Sequence, residues 1–424
     1  MRAFKIIGIF ILAVILCGAV TVGAVLWSQS ASTERAQAEL EPFYLPPDPL
    51  PAGKPGDILR SEPMPNIALN NASAHRVLYL SEDVHGKPVA VSGMIFVPNG
   101  KPAKGDRQVI AWAHPTTGMG DKCAPSRTPD PLAVMTWAQE MVDLGWVVSA
   151  TDYAGLGTPG IEYYLVGRSE AQDVLNSVRM AQRFPESHAG SEYGVFGHSQ
   201  GGHSALWTGE LSKSYAPELK LTGVAAAAPA AEFVALVDQQ WNTMIGWVIG
   251  PQVMLSWPAT YPDVSVDQVV SDAARGNWRN IAEKCNIEGG LAGLIEEELG
   301  NQPFAMNPAE NPAWHRALID QTPKPLPAEL PTLVIQSVND GVVFANTTAL
   351  LQQKWCAAGS NISVDWLGPI RNIGAQTHQF TAVVAGPSVA NWFQDRFAGR
   401  PAHSNCATTP AVAPYQSPTT GRSN

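Results

Sequence analysis

The segment VFGHSQGGHSA, residues 195–205, constrains the fold of this chain more than any other stretch. It places Ser199 between Gly197 and Gly201, after an apolar run (EYGVFG) and before a helical pattern (QGGHSALWTGEL). At such a strand-to-helix junction the turn is so tight that only glycine fits at 197 and 201. A glycine-rich corner without a chemical role has the same motif, but the flanking strand and helix favour a nucleophile. We interpret Ser199 as that nucleophile, and the backbone amide of Gln200 as a donor to an oxyanion.

Strand and helix patterns alternate along most of the chain. Two apolar runs, HRVLYLSE and PVAVSGMIFVP, flank the turn-like DVHGK and predict an antiparallel hairpin. From QVIAWAHP to ISVDWLG strands alternate with helices, and the last amphipathic helix runs near residues 387–398. This order predicts an α/β fold with a mostly parallel sheet of about eight strands and helices on both faces. Residues 232–328 lack strand patterns and are rich in Trp, so we interpret them as an inserted helical cap.

The composition divides the chain into segments. An uncharged apolar run extends from Ile6 to Trp27, preceded by Arg2 and Lys5. It is long enough to be a signal peptide or a membrane anchor, and either one places the rest of the chain outside the cytoplasm. The predicted segments are a signal peptide or N-terminal membrane anchor (1–38), a Pro-rich arm (39–65), the first part of the core (66–231), the cap (232–328), the second part of the core (329–400) and a Pro/Ser-rich tail (401–424).

Charge and cysteine content limit the partners and the compartment. The net charge of −10 argues against nucleic acid and against a polybasic membrane patch. The exported part contains an even number of cysteines and no CxxC spacing, which indicates disulfides rather than a structural metal site. Four cysteines allow three pairings, and we favour Cys123–Cys285 with Cys356–Cys406 because this choice joins the two C-terminal cysteines locally.

A nucleophilic serine needs a base, and the base needs an orienting acid, in the chain order Ser, Asp or Glu, His. Among the histidines after Ser199, His203 is too close in sequence, His315 belongs to the predicted cap and His403 to the tail. His378, in a loop after the last strand, is therefore the candidate base. Asp340 follows the strand pattern TLVIQSVN and is the candidate acid, since catalytic groups collect beyond the carboxyl ends of parallel strands. We reject Asp365 because it lies within the next strand.

The second oxyanion donor is expected in the loop after the third strand, which reads WAHPTTGMG. Thr116 is the candidate, through its backbone amide or additionally its hydroxyl, and Thr117 is the alternative, because Pro115 has no amide to donate. A turn without a catalytic role remains the other interpretation of this loop. Asp152, in SATDYAGLG, is expected to hydrogen-bond backbone amides in a turn rather than to act on a substrate.

Taken together, the motifs AWAHPTTG, SATDYAGLG, GHSQGGHSALW, SWPATYPD, VNDGVV and THQF resemble the secretory lipase family of α/β-hydrolases. They occur in order over residues 75–400. The resemblance implies an α/β-hydrolase fold, a helical cap over an acyl-binding pocket, two disulfides and carboxylic ester hydrolysis. It assigns the nucleophile, acid and base to Ser199, Asp340 and His378. Pro115 stands where family members often have glycine, which leaves the second oxyanion donor open.

We therefore hypothesise an exported, cofactor-free serine ester hydrolase that acts on lipid or other apolar acyl esters through an acyl-enzyme. An acyltransferase or a peptidase with the same triad is an alternative. So is a catalytically inactive hydrolase-like binding protein. The oligomeric state and the acyl chain length lie beyond what the sequence determines.

Overall fold

The structure is a computed structural model and describes residues 34–370 and 375–417. The chain separates into two compact units, residues 1–45 and 46–424. In the first unit, residues 34–44 form a helix, α1. The predicted apolar leader, residues 6–27, lies outside the described residues. Among the residues that are described, no helix is both long enough and apolar enough to cross a membrane.

The second unit is built on a single sheet. Nine strands of the described chain align in the order β1-β2-β3-β5-β4-β6-β7-β8-β9. The strands are antiparallel from β1 to β5 along this order and parallel from β5 to β9. Their bounds are β1 Ile58–Pro63, β2 Ala72–Glu82, β3 Pro88–Pro98, β4 Arg107–Ala113, β5 Val147–Thr151, β6 Ala189–His198, β7 Lys220–Ala227, β8 Thr332–Ser337 and β9 Ile362–Leu367.

Helices cover both faces of this sheet and fill the insertion between β7 and β8. Their bounds are α2 Ala138–Asp143, α3 Gly167–Arg183, α4 Gln200–Tyr215, α5 Phe233–Gln240, α6 Met244–Thr260, α7 Trp278–Ala282, α8 Asn286–Glu298, α9 Pro312–Gln321, α10 Ala345–Ala357 and α11 Ala375–Phe397. The α/β-hydrolase architecture and the antiparallel hairpin, β2 with β3, are confirmed.

Four details of the prediction are wrong. The sheet has a ninth strand, β1, inside the segment predicted to be a Pro-rich arm, because Ile58–Pro63 pairs with β2. The segment PLAVMTWAQEMVDLG has a helical pattern throughout, but α2 covers only Ala138–Asp143, since a 3₁₀ turn occupies Pro131–Val134. The pattern SEAQDVLNSVRMAQRF predicts a helix that starts at Ser169, but α3 begins at Gly167, and α11 begins at Ala375, well before residue 387.

Successive side chains of the strands pack into two separate hydrophobic cores, one on each face of the sheet. In β4, Val109 and Ala111 face the core under α3, α4 and α10, whereas Ile110 and Trp112 face the core under α2 and α11. Successive side chains of a strand point to opposite faces, so buried apolar residues at both positions require helices on both sides. The sheet is therefore the central layer of the fold. Because helices cover both of its faces, a site is expected at the edge formed by the carboxyl ends of the parallel strands.

The insertion between β7 and β8 is helical, as predicted. Helices α5 to α9 lie within residues 233–321 and share a core of their own, in which Trp257 stacks on Trp314 with ring centroids 6.0 Å apart. Within those residues β pairing is limited to an isolated bridge between Val270 and Phe304. The Trp-rich composition thus serves the core of the cap.

Two disulfides cross-link peripheral segments of the fold, and their pairing is the one favoured from the sequence. Cys123–Cys285 joins the loop after β4 to the start of α8, and Cys356–Cys406 joins α10 to the C-terminal segment. The first closes a separation of 162 residues and the second one of 50. Cross-links of this length stabilise a fold chiefly by restricting the unfolded chain.

Candidate active site

The turn between β6 and α4 holds Ser199 in an unusual conformation. Its φ is 57° and its ψ is −116°, a region that residues with a Cβ atom rarely adopt. A Cβ atom at Gly197 would collide with the carbonyl of Gly201, and one at Gly201 with the carbonyl of Ala113. The backbone amide of Ser199 donates to the carbonyl of Ala227 at 2.9 Å. Both glycines are therefore required for this turn, as the sequence predicts.

The segment after β8 brings Asp340 to His378. Nδ1 of His378 donates to Oδ2 of Asp340 at 2.8 Å, and both side chains are buried. Oδ1 of Asp340 accepts from the amides of Val342 and Val343 at 2.8 and 3.0 Å. Nε2 of Gln336 adds a longer contact to Oδ2 at 3.3 Å. The carboxylate is thus oriented from several directions, and the ring is oriented by the carboxylate.

The electrostatics of this pair keep the carboxylate charged. Burial alone would raise the pKa of Asp340, but the neighbouring charge and hydrogen bond of His378 and the amides of Val342 and Val343 lower it, and the net pKa lies below the usual value. A carboxylate in this state accepts a hydrogen bond from Nδ1–H, which keeps that proton on Nδ1 and leaves Nε2 as the basic nitrogen.

His378 lies in the first turn of α11, which corrects the prediction that it occupies a loop. Its ring packs against the ring of His198, the residue before Ser199, with centroids 4.7 Å apart. Nε2 of His198 donates to the carbonyl oxygen of His378 at 3.0 Å. Burial, followed by the neighbouring His378, lowers the pKa of His198 to about 3, so His198 is neutral. Among the described residues, Nε2 of His378 has no hydrogen-bond partner.

A pocket extends from Ser199 into the cap. Ser199 is 8% exposed and lines it together with Gln200 and Thr116. The other residues of its wall are mostly apolar, and most of them belong to the cap. They are Tyr164, Leu165, Ala230, Phe233, Leu236, Val237, Gln240, Trp241, Ile245, Gly246, Ile249, Gly250, Val253, Trp257, Phe304, Pro308, Trp314, Leu318, Val342 and Val343. This lining is typical of a pocket for an apolar small molecule.

The two predicted oxyanion donors both face this pocket. Gln200 is the first residue of α4, so its amide has no acceptor within the helix. The hydroxyl of Thr116 is engaged with the hydroxyl of Tyr164 at 2.7 Å. The carbonyl of Thr116 accepts from the side chain of Asn286 in α8. Since the hydroxyl has a partner already, the backbone amide is the donor that Thr116 can offer to a ligand.

Asp152 hydrogen-bonds to the surrounding protein, but its partners differ from the expected ones. Instead of amides of its own turn, it accepts from the amide of Ser126 at 3.0 Å and from the hydroxyls of Ser92 and Ser126. Burial raises its pKa, which the two serine hydroxyls partly offset. The residue therefore ties β3 and β5 to the loop after β4.

The sequence does not predict a group of buried polar residues beneath Ser199. Glu170 of α3 lies against Gln200, His203 and Ser204 of α4, and Glu162 also contacts Gln200. Glu170 appears within the amphipathic pattern SEAQDVLNSVRMAQRF, where a carboxylate suggests exposure. The only signal in the sequence is His203, which lies one helical turn after the nucleophile and whose side chain is not used as a base.

The fold and the serine on this turn define an α/β-hydrolase with a helical cap. The model of the secretory lipase family matches residues 132–405, more than half of the chain. The chain therefore belongs to the secretory lipase family, and it is a carboxylic ester hydrolase of the lipase and esterase class.

The chain is similar to several lipases over most of its length. Lipase A of Arthroderma benhamiae is 24% identical over 399 residues, covering 87% of this chain and 81% of that protein. A secreted triacylglycerol lipase of Malassezia globosa is 25% identical over 393 residues, with 86% and 83% covered. A protein of Mycobacterium tuberculosis described as a probable inactive lipase is 23% identical over 385 residues, with 85% and 82% covered.

Two solved structures share the fold. The rice cell wall degrading esterase LipA of Xanthomonas oryzae superposes with a TM-score of 0.66 at 20% identity, covering 81% of this chain and all of that one. Candida antarctica lipase A superposes with a TM-score of 0.68 at 18% identity, covering 88% and 89%.

Proposed function

We propose that Ser199, His378 and Asp340 form a catalytic triad that hydrolyses esters of apolar acyl groups outside the cytoplasm. The observation that carries this proposal is the hydrogen bond from Nδ1 of His378 to Asp340, made by a ring that packs on the neighbour of Ser199 and keeps Nε2 unpartnered. An oriented imidazole with one open nitrogen beside a strained serine turn is what a general base requires.

The mechanism follows from these atoms. Oγ of Ser199 attacks the ester carbonyl carbon and its proton passes to Nε2 of His378, so the carbonyl oxygen becomes an oxyanion. As the C–O bond to the alcohol breaks, His378 returns the proton to the departing oxygen and an acyl-enzyme remains. Water repeats the two steps, giving its proton to His378, and releases the acid and Ser199. The negative charge of Asp340 stabilises the imidazolium in both halves of the reaction.

The backbone amides of Gln200 and Thr116 are the proposed oxyanion donors. Both residues line the pocket beside Ser199, and the amide of Gln200 has the additional field of a helix N-terminus. Thr116 is held from two sides, by Tyr164 and by Asn286 of the cap, which supports a fixed position for its amide. Such preorganised donors act most strongly in a site that excludes water.

The apolar residues of the cap support the proposal that the protein recognises the acyl group of its substrate. Trp257, Phe304 and Trp314 are among the residues that line the pocket continuing from Ser199, so an acyl chain held there would contact apolar side chains. Lipid esters are therefore the substrate class that we propose, in keeping with the named activity of the Malassezia relative. The two disulfides are consistent with an oxidising compartment, which supports export of the chain.

An acyl-chain-length series tests this function. The purified protein should hydrolyse p-nitrophenyl esters of medium and long acids with kcat/KM about tenfold or more above that for acetate, because each buried methylene contributes about 0.8 kcal/mol. Ser199→Ala is the blank, and Ile249→Trp, which narrows the pocket, should reduce the rate for long chains and leave acetate unchanged.

Three outcomes, measured with added substrates and a covalent probe, would contradict the proposal. Faster cleavage of aminoacyl anilides than of esters would indicate a peptidase, and acyl transfer to an added alcohol in preference to water would indicate an acyltransferase. Absence of hydrolysis together with absence of fluorophosphonate labelling in the wild-type protein would indicate a binding protein.

A further inference from the structure

Five polar residues lie buried directly behind the proposed oxyanion site, and we call them the Glu170 cluster: Glu162, Glu170, Gln200, His203 and Ser204. Each is no more than 4% exposed. The cluster joins the segment before α3, α3 itself and the first turns of α4. No step of the hydrolysis described above uses Glu162, Glu170, His203 or Ser204, so their burial requires another explanation.

Glu170 is the centre of this cluster, because both of its carboxylate oxygens accept from α4. Oε1 accepts from Nε2 of Gln200 at 2.8 Å. Oε2 lies 3.0 Å from Nδ1 of His203 and accepts from Oγ of Ser204 at 2.7 Å. These partners are the first, fourth and fifth residues after Ser199. A single carboxylate of α3 thereby fixes the beginning of α4, where the amide of Gln200 points at the pocket.

The same carboxylate also fixes the segment that supports Thr116. Oε1 of Glu170 accepts from the backbone amide of Leu165 at 2.8 Å. The preceding residue, Tyr164, holds the hydroxyl of Thr116 at 2.7 Å, and its own carbonyl accepts from Ser256 of α6. Glu170 is thus connected to both proposed oxyanion donors, to Gln200 through its side chain and to Thr116 through the Tyr164–Leu165 segment.

The second ring nitrogen of His203 also has a hydrogen-bond partner, so it is not open to a substrate as the nitrogen of a catalytic base must be. Nε2 of His203 donates to the carbonyl of Gln321, at the end of α9, at 2.9 Å. Both ring nitrogens therefore face acceptor oxygens, Nδ1 the carboxylate of Glu170 and Nε2 the carbonyl of Gln321, so the histidine bridges the carboxylate to the cap. Because charge-assisted hydrogen bonds in a buried site are short and strongly oriented, the cluster is stiff.

We propose that Glu170 is a positioning residue that sets the separation between the oxyanion amides of Gln200 and Thr116. This role rests on the function proposed above. Oxyanion donors stabilise a transition state only when they lie at hydrogen-bond distance from the developing charge, so a displacement of either donor weakens that stabilisation. Glu170 itself does not touch the substrate.

The variant Glu170→Gln tests this role, because glutamine keeps the shape but replaces one acceptor oxygen with a donor. We expect kcat to fall by about tenfold to a hundredfold, less than the ~10²–10³ typical for deleting a donor outright, with KM changed by less than about threefold. A trifluoromethyl ketone, which adds Ser199 Oγ to its carbonyl and forms a tetrahedral oxyanion, should lose affinity by the same factor as kcat. A purely structural role would reduce the amount of folded protein without changing either constant per folded molecule.

Asp173→Asn is the matched control. Asp173 is buried in the same helix, and its carboxylate accepts from the hydroxyl of Ser81 and the amide of Ala154, both of which lie outside α4. The variant Asp173→Asn should leave kcat and the ketone affinity near those of the wild type at equal concentrations of folded protein.

Gln200→Met is the second variant, which keeps the backbone amide and removes the hydrogen bond from the side chain to Glu170. It should reproduce the effect of Glu170→Gln, and the double variant should be no worse than either single one. If Glu170→Gln does not fold, Gln200→Met provides the same measurement.

The outcomes separate this role from the function on which it rests. A wild-type protein that reacts with neither fluorophosphonate nor ketone would overturn the proposed function and this role with it. A reactive wild-type protein whose Glu170→Gln and Gln200→Met variants keep kcat and ketone affinity within about twofold would overturn only the role of Glu170.

Discussion

Two buried carboxylate–histidine pairs flank Ser199, and they differ in what the second ring nitrogen meets. In the pair Asp340–His378, Nδ1 lies 2.8 Å from the acid and Nε2 has no partner among the described residues. In the pair Glu170–His203, Nδ1 lies 3.0 Å from the acid and Nε2 donates to the carbonyl of Gln321. Geometry between acid and ring is therefore not enough to identify a base. The open nitrogen distinguishes the two pairs, and for this reason we propose catalysis for the first pair and positioning for the second.

The largest expected effect distinguishes the two histidines directly. His378→Gln removes the base and should lower kcat by about 10⁶-fold, as for loss of a triad histidine, while the protein stays folded. The measurement is ester hydrolysis at equal concentrations of folded protein. If this variant keeps more than about one tenth of wild-type activity, the assignment of His378 as base is wrong.

The acid of the first pair comes next. Asp340→Asn preserves the size of the side chain but removes the charge that fixes the Nδ1 proton, and kcat should fall by about 10⁴-fold. The pKa of Asp340 lies below its usual value, so its contribution to folding is present at neutral pH and is lost as pH falls through the folded-state pKa. The pH–rate profile of the wild type should therefore show no loss of activity from Asp340 above pH 5.

The second pair should respond in stability more than in rate. His203→Leu removes a hydrogen-bond partner from the buried carboxylate of Glu170 and from the carbonyl of Gln321, and we expect the free energy of unfolding to fall by about 1–3 kcal/mol. The kcat per folded molecule should fall by about tenfold or less. Urea unfolding and active-site titration measure the two quantities separately. A loss of rate as large as that of His378→Gln would remove the distinction between the pairs.

The smallest expected effect concerns Glu162, which lies beside the second pair. Burial raises its pKa to about 8, the bond from Gln200 lowers it, and the negative charge of Glu170 raises it. Burial raises the pKa of both Tyr153 and Tyr164, and the negative charge of Glu162 raises it further. Since the folded-state pKa exceeds the ordinary 4.5, the stability contributed by protonated Glu162 is complete below about pH 4.5 and is lost as pH rises through about 8.

The change in melting temperature between about pH 5 and 8 should accordingly contain a decrease due to Glu162, and this part should disappear in Glu162→Gln, whose melting temperature rises relative to that of the wild type as pH increases. Asp173, whose pKa burial raises to about 7, acts in the same direction, whereas His198, whose pKa burial lowers to about 3, acts in the opposite one, so the difference between variant and wild type is the quantity to measure. Glu298→Gln, an exposed carboxyl in α8, is the control and should leave the slope unchanged. A variant with the full wild-type slope would contradict the environment described for Glu162.

The first pair is largely predictable from the sequence, and the second is not. Ser199 is identified by local features, since the two glycines and the flanking strand and helix lie within a few residues. Asp340 and His378 follow from chain order and from the carboxyl edge of the sheet. Glu170, by contrast, lies in a helix whose charge pattern suggests exposure, and its partners come from other segments. Only the packing of α3 on α4 reveals that it is buried.

The same limit explains the errors in the fold. Alternating apolar residues predict most strands, because each face of a strand is visible in its own sequence. Strand β1 lies in a proline-rich segment and exists through its pairing with β2, whose register the sequence does not show. The placement of His378 on a helix instead of a loop is likewise a consequence of how α11 packs against the sheet.

A trapped acyl-enzyme tests the central claim most directly. The wild-type protein is mixed with a p-nitrophenyl ester of a medium-length acid, quenched in acid within milliseconds and digested for mass spectrometry. We expect the acyl group on the peptide that contains Ser199, with a burst of p-nitrophenol of about one equivalent, and neither signal in His378→Gln. Acylation of a different residue, or full turnover by Ser199→Ala, would contradict the account.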